Sequence, residues 1–471
     1  MSETLVAILG LIAIAAIVMI LFKSLTQPSI AFITVPFILA MTLIIGGYIE
    51  FGQLEGMIKT GFNSTAPTAA LFVFSVLYFG IMTDAGMFDV IIDKLMKLVG
   101  DNVIGVCIVT AIIALVGHLD GGGASTFCIV VPAMLPVYKK MHMKPTSLLR
   151  IAVLSMGVLN LMPWAGPTMR AATVLGMEAA SLWSTLIPIQ IFGILLAIGV
   201  ALITGIIEKG RGAGLHGRLA EIEGEVVVEE TAQTGGVNEL ARPKLFIFNI
   251  LLTVGVIGLL IWDKLPSYVP FMIGVAVALF VNYGFSSKMH KQIINLHAGP
   301  ALMMCSTLMG AAVLMGVLTT GFDAEGAVVS AKNVQTILND PDATLSVVTC
   351  IANMIKSILP DILGRHLSLV IGFLSVPLAL AFDTDSYFYG MLPVVIGIGQ
   401  GFGVAALPIA VAMVVCRNCA TFISPMVPAT LLGVGLADVD IKDHIKTNFL
   451  WVWVFSFCCM TFAILVGIMP F

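Results

Sequence analysis

The sequence predicts an all-α polytopic membrane protein built from two inverted-topology repeats, each with five spans, a re-entrant hairpin and a broken helix. Three observations carry this. Of 471 residues, 59% are hydrophobic and only 11% charged, and the mean hydropathy of +1.06 lies far outside the soluble range. Apolar stretches near the bilayer-spanning length of about 18 residues recur in two sets of five. Lastly, one unusual segment occurs twice, as VLSMGVLNLMPWAGPTMRAATVLG at 153–176 and as VAMVVCRNCATFISPMVPATLLG at 411–433. Aligned without gaps, Asn160 falls on Asn418, Trp164 on Phe422, Gly166 on Ser424, Pro167 on Pro425 and Ala171 on Ala429. Proline lacks a backbone N–H and restricts the residue before it, so each segment reads as a helix broken in its middle. Such a break is tolerated in a bilayer only inside protein or against a wet cavity. Two of them in corresponding places point to a central ligand site.

In chain order, spans are expected at about 4–22, 29–48, 66–83, 147–182 (broken) and 183–207. Between the third and fourth lie an amphipathic stretch, 87–99, and two short apolar segments, 102–118 and 124–138, joined by the polar, Gly-rich HLDGGGAS. These two read as a re-entrant hairpin. The second half repeats the order with spans near 244–262, 268–284, 300–319, 402–436 (broken) and 447–469. Its amphipathic stretch is 343–358, and its hairpin is 362–382 plus 386–400 around FDTDSY. An odd number of crossings per half turns the second half upside down. The expected division is therefore 1–208 and 244–471 for the repeats, with a polar, Gly-rich and acid-rich linker at 209–243.

Loop charge tests this topology, because cytoplasmic loops collect Lys and Arg. With the N-terminus outside, Lys59, Lys264, Lys332, Lys356 and Arg365 fall on the outer face and Arg170 and Arg417 inside spans. The rest of the 23 basic residues, and the linker, fall on the cytoplasmic face. Residues 1–4 carry no basic region and no A-x-A site follows, so a retained first span is expected rather than a signal peptide. The net charge of −4 excludes a nucleic-acid surface. Cys416 and Cys419 form a C-x-x-C, but a redox motif needs a soluble βαβ setting that is missing here.

Ionisable groups at membrane depth mark a pathway or a site. His118 and Asp120 flank the first hairpin tip, where Gly122 and Gly123 let the backbone approach a ligand and Ser125 offers a hydroxyl. Asp383 and Asp385, with Thr384 and Ser386, make the second tip acidic. Carboxylates so spaced suit proton carriage or a hard cation, so Asp120, Asp383 and Asp385 are candidate metal contacts; helix capping is the plainer reading. Arg170, near a half-helix N-terminus, is the candidate anion partner, with snorkelling as its alternative. Arg417 shares the ambiguity. Thr168, Ser424 and Thr430 offer hydroxyls, although these often bond their own helix. Trp164 and Phe422 suit pocket walls or core packing, and Asn160 and Asn418 suit fastening of loosened backbone. No H-E-x-x-H, G-x-S-x-G or Walker motif is present, so no enzyme is expected.

The tip GHLDGGGASTF, the broken helix NLMPWAGPTMRAATVLG, the second tip AFDTDSYFYGMLP and the broken helix NCATFISPMVPATLLGVGLADVDI resemble the citrate–metal complex:proton symporters, CitMHS, of the ion-transporter superfamily. The resemblance covers nearly the whole chain except the linker. It implies proton-driven uptake of citrate as a metal complex through a bacterial cytoplasmic membrane, with no cofactor beyond the transported metal. It also implies a homodimer and an elevator-type carrier. The moving transport domain would be about 100–182 and 360–436, and the remaining spans would form a static scaffold. Sodium-coupled members carry Ser-Asn-Thr at both tips, where this sequence reads Gly122-Gly123-Ala124 and Asp383-Thr384-Asp385, with His118 and Asp120 nearby. Protons fit that set better than sodium. Carriage of free di- or tricarboxylates or sugar acids, coupled to protons or sodium, remains the alternative, and a non-transporting membrane protein a remote one.

Overall fold

The structure, a computed structural model, describes residues 1–23, 25–97, 102–214, 240–329 and 343–470; the middle of the expected linker, and Lys332, lie outside the described residues. The first repeat comprises α1 (Glu3–Phe22), α2 (Pro28–Ile45), α3 (Gln53–Asp84), α4 (Met87–Met96), α5 (Val103–Gly117), α6 (Gly123–Lys140), α7 (Pro145–Leu159), α8 (Gly166–Leu175) and α9 (Ala179–Gly210). The second comprises α10 (Phe246–Trp262), α11 (Tyr268–Tyr283), α12 (Ser287–Thr319), α13 (Val347–Lys356), α14 (Leu367–Ala379), α15 (Leu392–Gly401), α16 (Ala406–Cys419), α17 (Pro428–Leu436) and α18 (Ile441–Leu465). Strands β1 (Gly321–Phe322) and β2 (Val328–Val329) form a small antiparallel ribbon after α12, with Gly321 opposite Val329.

Among the described residues, eight helices are long and apolar enough to cross a bilayer. The paired segments supply the rest of the architecture: α5 and α6 form one hairpin, α14 and α15 the other, and α7–α8 and α16–α17 are the broken helices. The lipid-facing helices keep exposed apolar residues, as on α10 at Ile247, Leu251, Val254 and Ile261, because the solvent there is hydrocarbon. By contrast, α7 and α16 are buried almost throughout.

Two expected spans are much longer than their apolar windows. α3 and α12 hold 32 and 33 residues, because amphipathic turns rich in polar residues precede Pro67 and Pro300 and continue the helix. At about 1.5 Å per residue such helices exceed the hydrocarbon thickness, so their polar first turns extend beyond the apolar span. They pack on each other along a seam of small residues. A Cβ at Gly61 would collide with the carbonyl of Ala312, and one at Gly316 with that of Met57, so the backbones touch directly.

α12 also packs on α2, and α11 on α3. The hairpins and broken helices form a second group, in which α6 of the first repeat lies on α17 of the second, and the second tip lies on α8 of the first. Spans α9 and α18 fall in the range expected for the scaffold. α9 lies against α5 and α7, and α18 against α16 and α7. Length and hydropathy do not distinguish a helix that faces the hairpins from one that faces α3.

Candidate functional site

The first tip is shaped by its glycines and closed by its own carboxylate. Gly121 has φ +71, a left-handed conformation that glycine adopts without strain, and Gly123 lies so close to Phe422 and Ala429 of the second break that a Cβ would clash. The Asp120 carboxylate accepts from the Gly122 N–H at 2.7 Å and from the Ser125 hydroxyl at 2.5 Å. It therefore orders the start of α6, as capping carboxylates do. His118 is fully buried, with Nδ1 2.7 Å from the Thr126 hydroxyl and Nε2 3.0 Å from Oδ1 of Asn160, so both ring nitrogens are engaged.

The breaks are held by the two asparagines. The main-chain carbonyl of Asn160, released at the end of α7, accepts from the Thr168 hydroxyl at 2.8 Å and from Nδ2 of Asn418 at 3.1 Å. In the second break the Ser424 hydroxyl donates to the Ala379 carbonyl at 2.5 Å, tying it to the end of α14. Prolines four residues apart frame the first break. In the second, the proline that opens the outgoing helix is Pro428, not Pro425, because a short 3-10 turn, Thr421–Ile423, lengthens the break. The gap-free alignment of Pro167 with Pro425 is corrected accordingly. Replacing Asn418 with leucine keeps the branched shape and the number of heavy atoms, although the methyl groups are bulkier, and removes this bridge. We expect a loss of about 1–3 kcal/mol, read as a lower melting temperature in detergent.

Trp164 and Phe422 are packing residues here. Trp164 donates from Nε1 to the Leu119 carbonyl at 2.8 Å and lies against Phe79, Phe271 and Trp183. Phe422 meets His118 and Phe127 edge-on. Neither ring is more than 3% exposed, which puts both in the aromatic core rather than on a pocket wall.

At the second tip, Asp383 accepts from the N–H groups of Asp385 at 2.9 Å and Ser386 at 3.4 Å, and half-buried Thr384 lies between them. A π-helical turn, Ser386–Met391, follows directly. Such wide turns recur at functional sites. Asp385 reaches across the repeats: its carboxylate accepts from Nε of Arg170 at 2.5 Å, with the two side chains only 13% and 8% exposed. This guanidinium lies within the protein and does not snorkel. Gly166, at the first position of α8, makes room for it, since a Cβ there would strike Nη1 of Arg170. The N-terminus of α8 carries no side-chain cap, so its positive dipole end adds to the charge of Arg170. Arg417 is fully buried and works inward, donating to the Phe382 carbonyl at 3.2 Å beneath the Tyr387 ring. It holds the tip of the second hairpin.

Among the described residues, five predicted ones keep a buried polar atom without a hydrogen-bond partner in good geometry: Nδ2 of Asn160, Oδ1 of Asn418, Nε of Arg417 and the hydroxyls of Ser386 and Thr430. Unpaired buried groups are costly, which makes these atoms candidates for contact with water or a ligand. Among the described residues no three His, Cys, Asp or Glu side chains are placed to hold a metal together. Asp120, Asp383 and Asp385 thus do not form a shared cage: the first two serve their own tips and the third serves Arg170.

Several contributors escaped sequence reasoning. His444, between Lys442 and Lys446 in the sequence, is buried at the start of α18 and faces the Phe422 carbonyl from Nε2 at 3.1 Å. Asn448 stands 3.0 Å from its Nδ1 and accepts from Nε of Arg150 at 3.0 Å. Their signal was polarity at the start of an apolar span, diluted by the neighbouring lysines. Tyr389, one turn beyond the tip acids, is buried beside Arg170 and Asp385. A cavity of about 420 Å³ opens between α3, α12 and the end of α8, lined by Thr60, Asn63, Ser64, Thr68, Thr173 and Glu178 among others. The Thr68 and Thr173 hydroxyls meet at 2.6 Å across it, one on each helix group.

Two broken helices facing two hairpins around buried ionisable groups define a membrane protein of the transporter class. Comparisons assign the family. The chain belongs to the CitMHS citrate transporter family, whose model matches residues 1–416. Two Bacillus subtilis (strain 168) relatives are similar over nearly full length. One, named a citrate transporter, is 33% identical over 99% of this chain and 100% of its own. The other, named a Mg(2+)/citrate complex secondary transporter, is 31% identical over 98% of both. In fold, the chain is similar to the Alcanivorax borkumensis YdaH transporter crystal structure, with a TM-score of 0.58 and 14% identity over 89% and 90% of the two chains.

Proposed function

We propose that this protein imports citrate as a complex with a divalent metal ion, driven by protons, by an elevator-type movement of the hairpin group against the α3–α12 scaffold. The observation that carries the reading is Arg170: a buried guanidinium at an uncapped helix N-terminus, between the two repeats, is suited to a carboxylate. The names of the two relatives make citrate and its magnesium complex the first candidates. The cavity is not lined by Arg170 or Asp385; its lining at the start of α3 and the end of α8 lies on the side that the loop charges make the exterior, where it would serve as an approach to the site. The metal in this reading is cargo, consistent with the separate engagements of the three tip carboxylates. In this reading α9 and α18, which pack on the hairpin group, are assigned to the moving body rather than to the scaffold expected from the sequence. The exposed apolar faces of the scaffold serve lipid and the partner of a homodimer, in a bacterial cytoplasmic membrane.

Uptake of labelled citrate into proteoliposomes, with and without a series of divalent metals and under an imposed pH gradient, tests the proposal. Metal-dependent uptake that responds to an inward proton gradient is expected. Equal uptake of citrate without metal would transfer the assignment to a carrier of free carboxylates, and absence of uptake under every condition would remove citrate as substrate.

A further inference from the structure

We propose that Asp385 selects the metal-bound form of the substrate, by standing in for a substrate carboxylate on Arg170 until a ligand arrives that brings its own cation. This rests on the citrate reading above and extends it to the choice between free and complexed citrate. Three observations support it. The Arg170–Asp385 pair is almost wholly buried, and it joins residues 215 positions apart, on α8 and on the second tip. The pair is made through a single nitrogen, Nε, while among the described residues Nη2 of the same guanidinium meets only the Met304 sulfur, at 4.0 Å. The hydroxyls of Ser386 and Tyr389, 1% and 0% exposed and next to the pair, face Asp383 and Thr173 respectively, without good hydrogen-bond geometry to a partner among the described residues. The site is thus incompletely satisfied around a carboxylate that the protein itself supplies.

The exchange that follows has a clear sign. A carboxylate arriving at Arg170 displaces Asp385, which then remains buried, charged and beside Asp383. If the ligand is free citrate, its further negative charges face both acids and no cation compensates them. Breaking a buried pair on those terms is strongly unfavourable. If the ligand carries a divalent metal, the freed Asp385 carboxylate meets a hard cation whose preferred partners are oxygens, which replaces the guanidinium it has lost. Ser386 and Tyr389 are positioned to donate to the remaining ligand oxygens. Metal alone gains nothing, because Asp385 is already held by Arg170 and, among the described residues, no second group of ligands surrounds it.

The test is calorimetric binding on the purified full-length protein, with citrate alone, Mg2+ alone and Mg2+ with citrate, followed by uptake in proteoliposomes. For the parent protein we expect citrate affinity to be at least about tenfold higher with Mg2+ than in a chelator, and Mg2+ alone not to bind. Asp385→Asn and the smaller Asp385→Ser should bring that ratio to near one by gaining affinity for free citrate, whereas Asp385→Glu should keep it. A parent that binds Mg2+ without citrate overturns the proposal, whatever the variants do. So does an Asp385→Asn or Asp385→Ser protein, shown to be folded by its melting curve, that keeps the parent's metal ratio. A parent that binds no citrate under any condition instead sinks the underlying substrate reading, so the two failures are distinguishable.

Discussion

Replacing Arg170 with alanine is expected to reduce citrate affinity by roughly ten- to a hundredfold, the equivalent of losing one charge-assisted partner worth about 1.5–3 kcal/mol, and to reduce uptake with it. The same change should destabilise the fold. It leaves Asp385 buried without its guanidinium, and removing one member of such a pair costs about 3–5 kcal/mol. Arg170→Lys retains charge but not the planar fork, and the ammonium does not reproduce the geometry cleared by Gly166, so little recovery is expected. Joint replacement, Arg170→Gln with Asp385→Asn, removes both charges and should restore the melting temperature without restoring binding. That separation between stability and binding is the informative result. An Arg170→Ala protein that binds and transports like the parent would show that the anion site lies elsewhere.

The second large effect is expected in the scaffold. Gly61→Val should greatly lower the yield of folded protein, because its Cβ meets the Ala312 backbone rather than a side chain that can turn away. Overpacking in a close-packed interior costs about 1–3 kcal/mol, and a backbone neighbour places this site at the upper end. Gly258→Val on α10, where nothing among the described residues lies within 4 Å of a Cβ, is the matched control and should behave as the parent. Size-exclusion profiles and thermal melts of the two variants in one detergent decide the matter. Equal behaviour would mean that α3 and α12 can separate without loss, contrary to their direct backbone contact.

Much of the architecture was legible because the bilayer imposes it. A chain that cannot hydrogen-bond to its solvent must form helices of spanning length, so hydropathy alone located α1, α2, α9, α10 and α18 closely. Both hairpins were legible for a related reason: two apolar segments too short to cross the bilayer, joined by a polar tip, can only enter it and turn back. The starts of α3 and α12 were not legible, since their first turns lie beyond the apolar window and carry mixed polar residues. Equivalence of Pro167 and Pro425 also failed, because local spacing does not record the extra turn in the second break.

Within the site, the sequence selected the residue types and the structure assigned their partners. Arg170, Asp385, Asn160, Asn418 and His118 stood out as ionisable or amide groups at membrane depth, and that judgement needed only the cost of burying them. Whether Arg170 faced lipid, water or a carboxylate was decided by packing, through an acid on the opposite repeat. Similarly, Asp120 and Asp385 look alike along the chain, yet one closes its own hairpin and the other bridges the two repeats. Hydropathy is a property of single segments and survives in one dimension. Pairing between segments depends on how the inverted repeats interleave, with α6 against α17 and the second tip against α8, and only the tertiary structure contains that information.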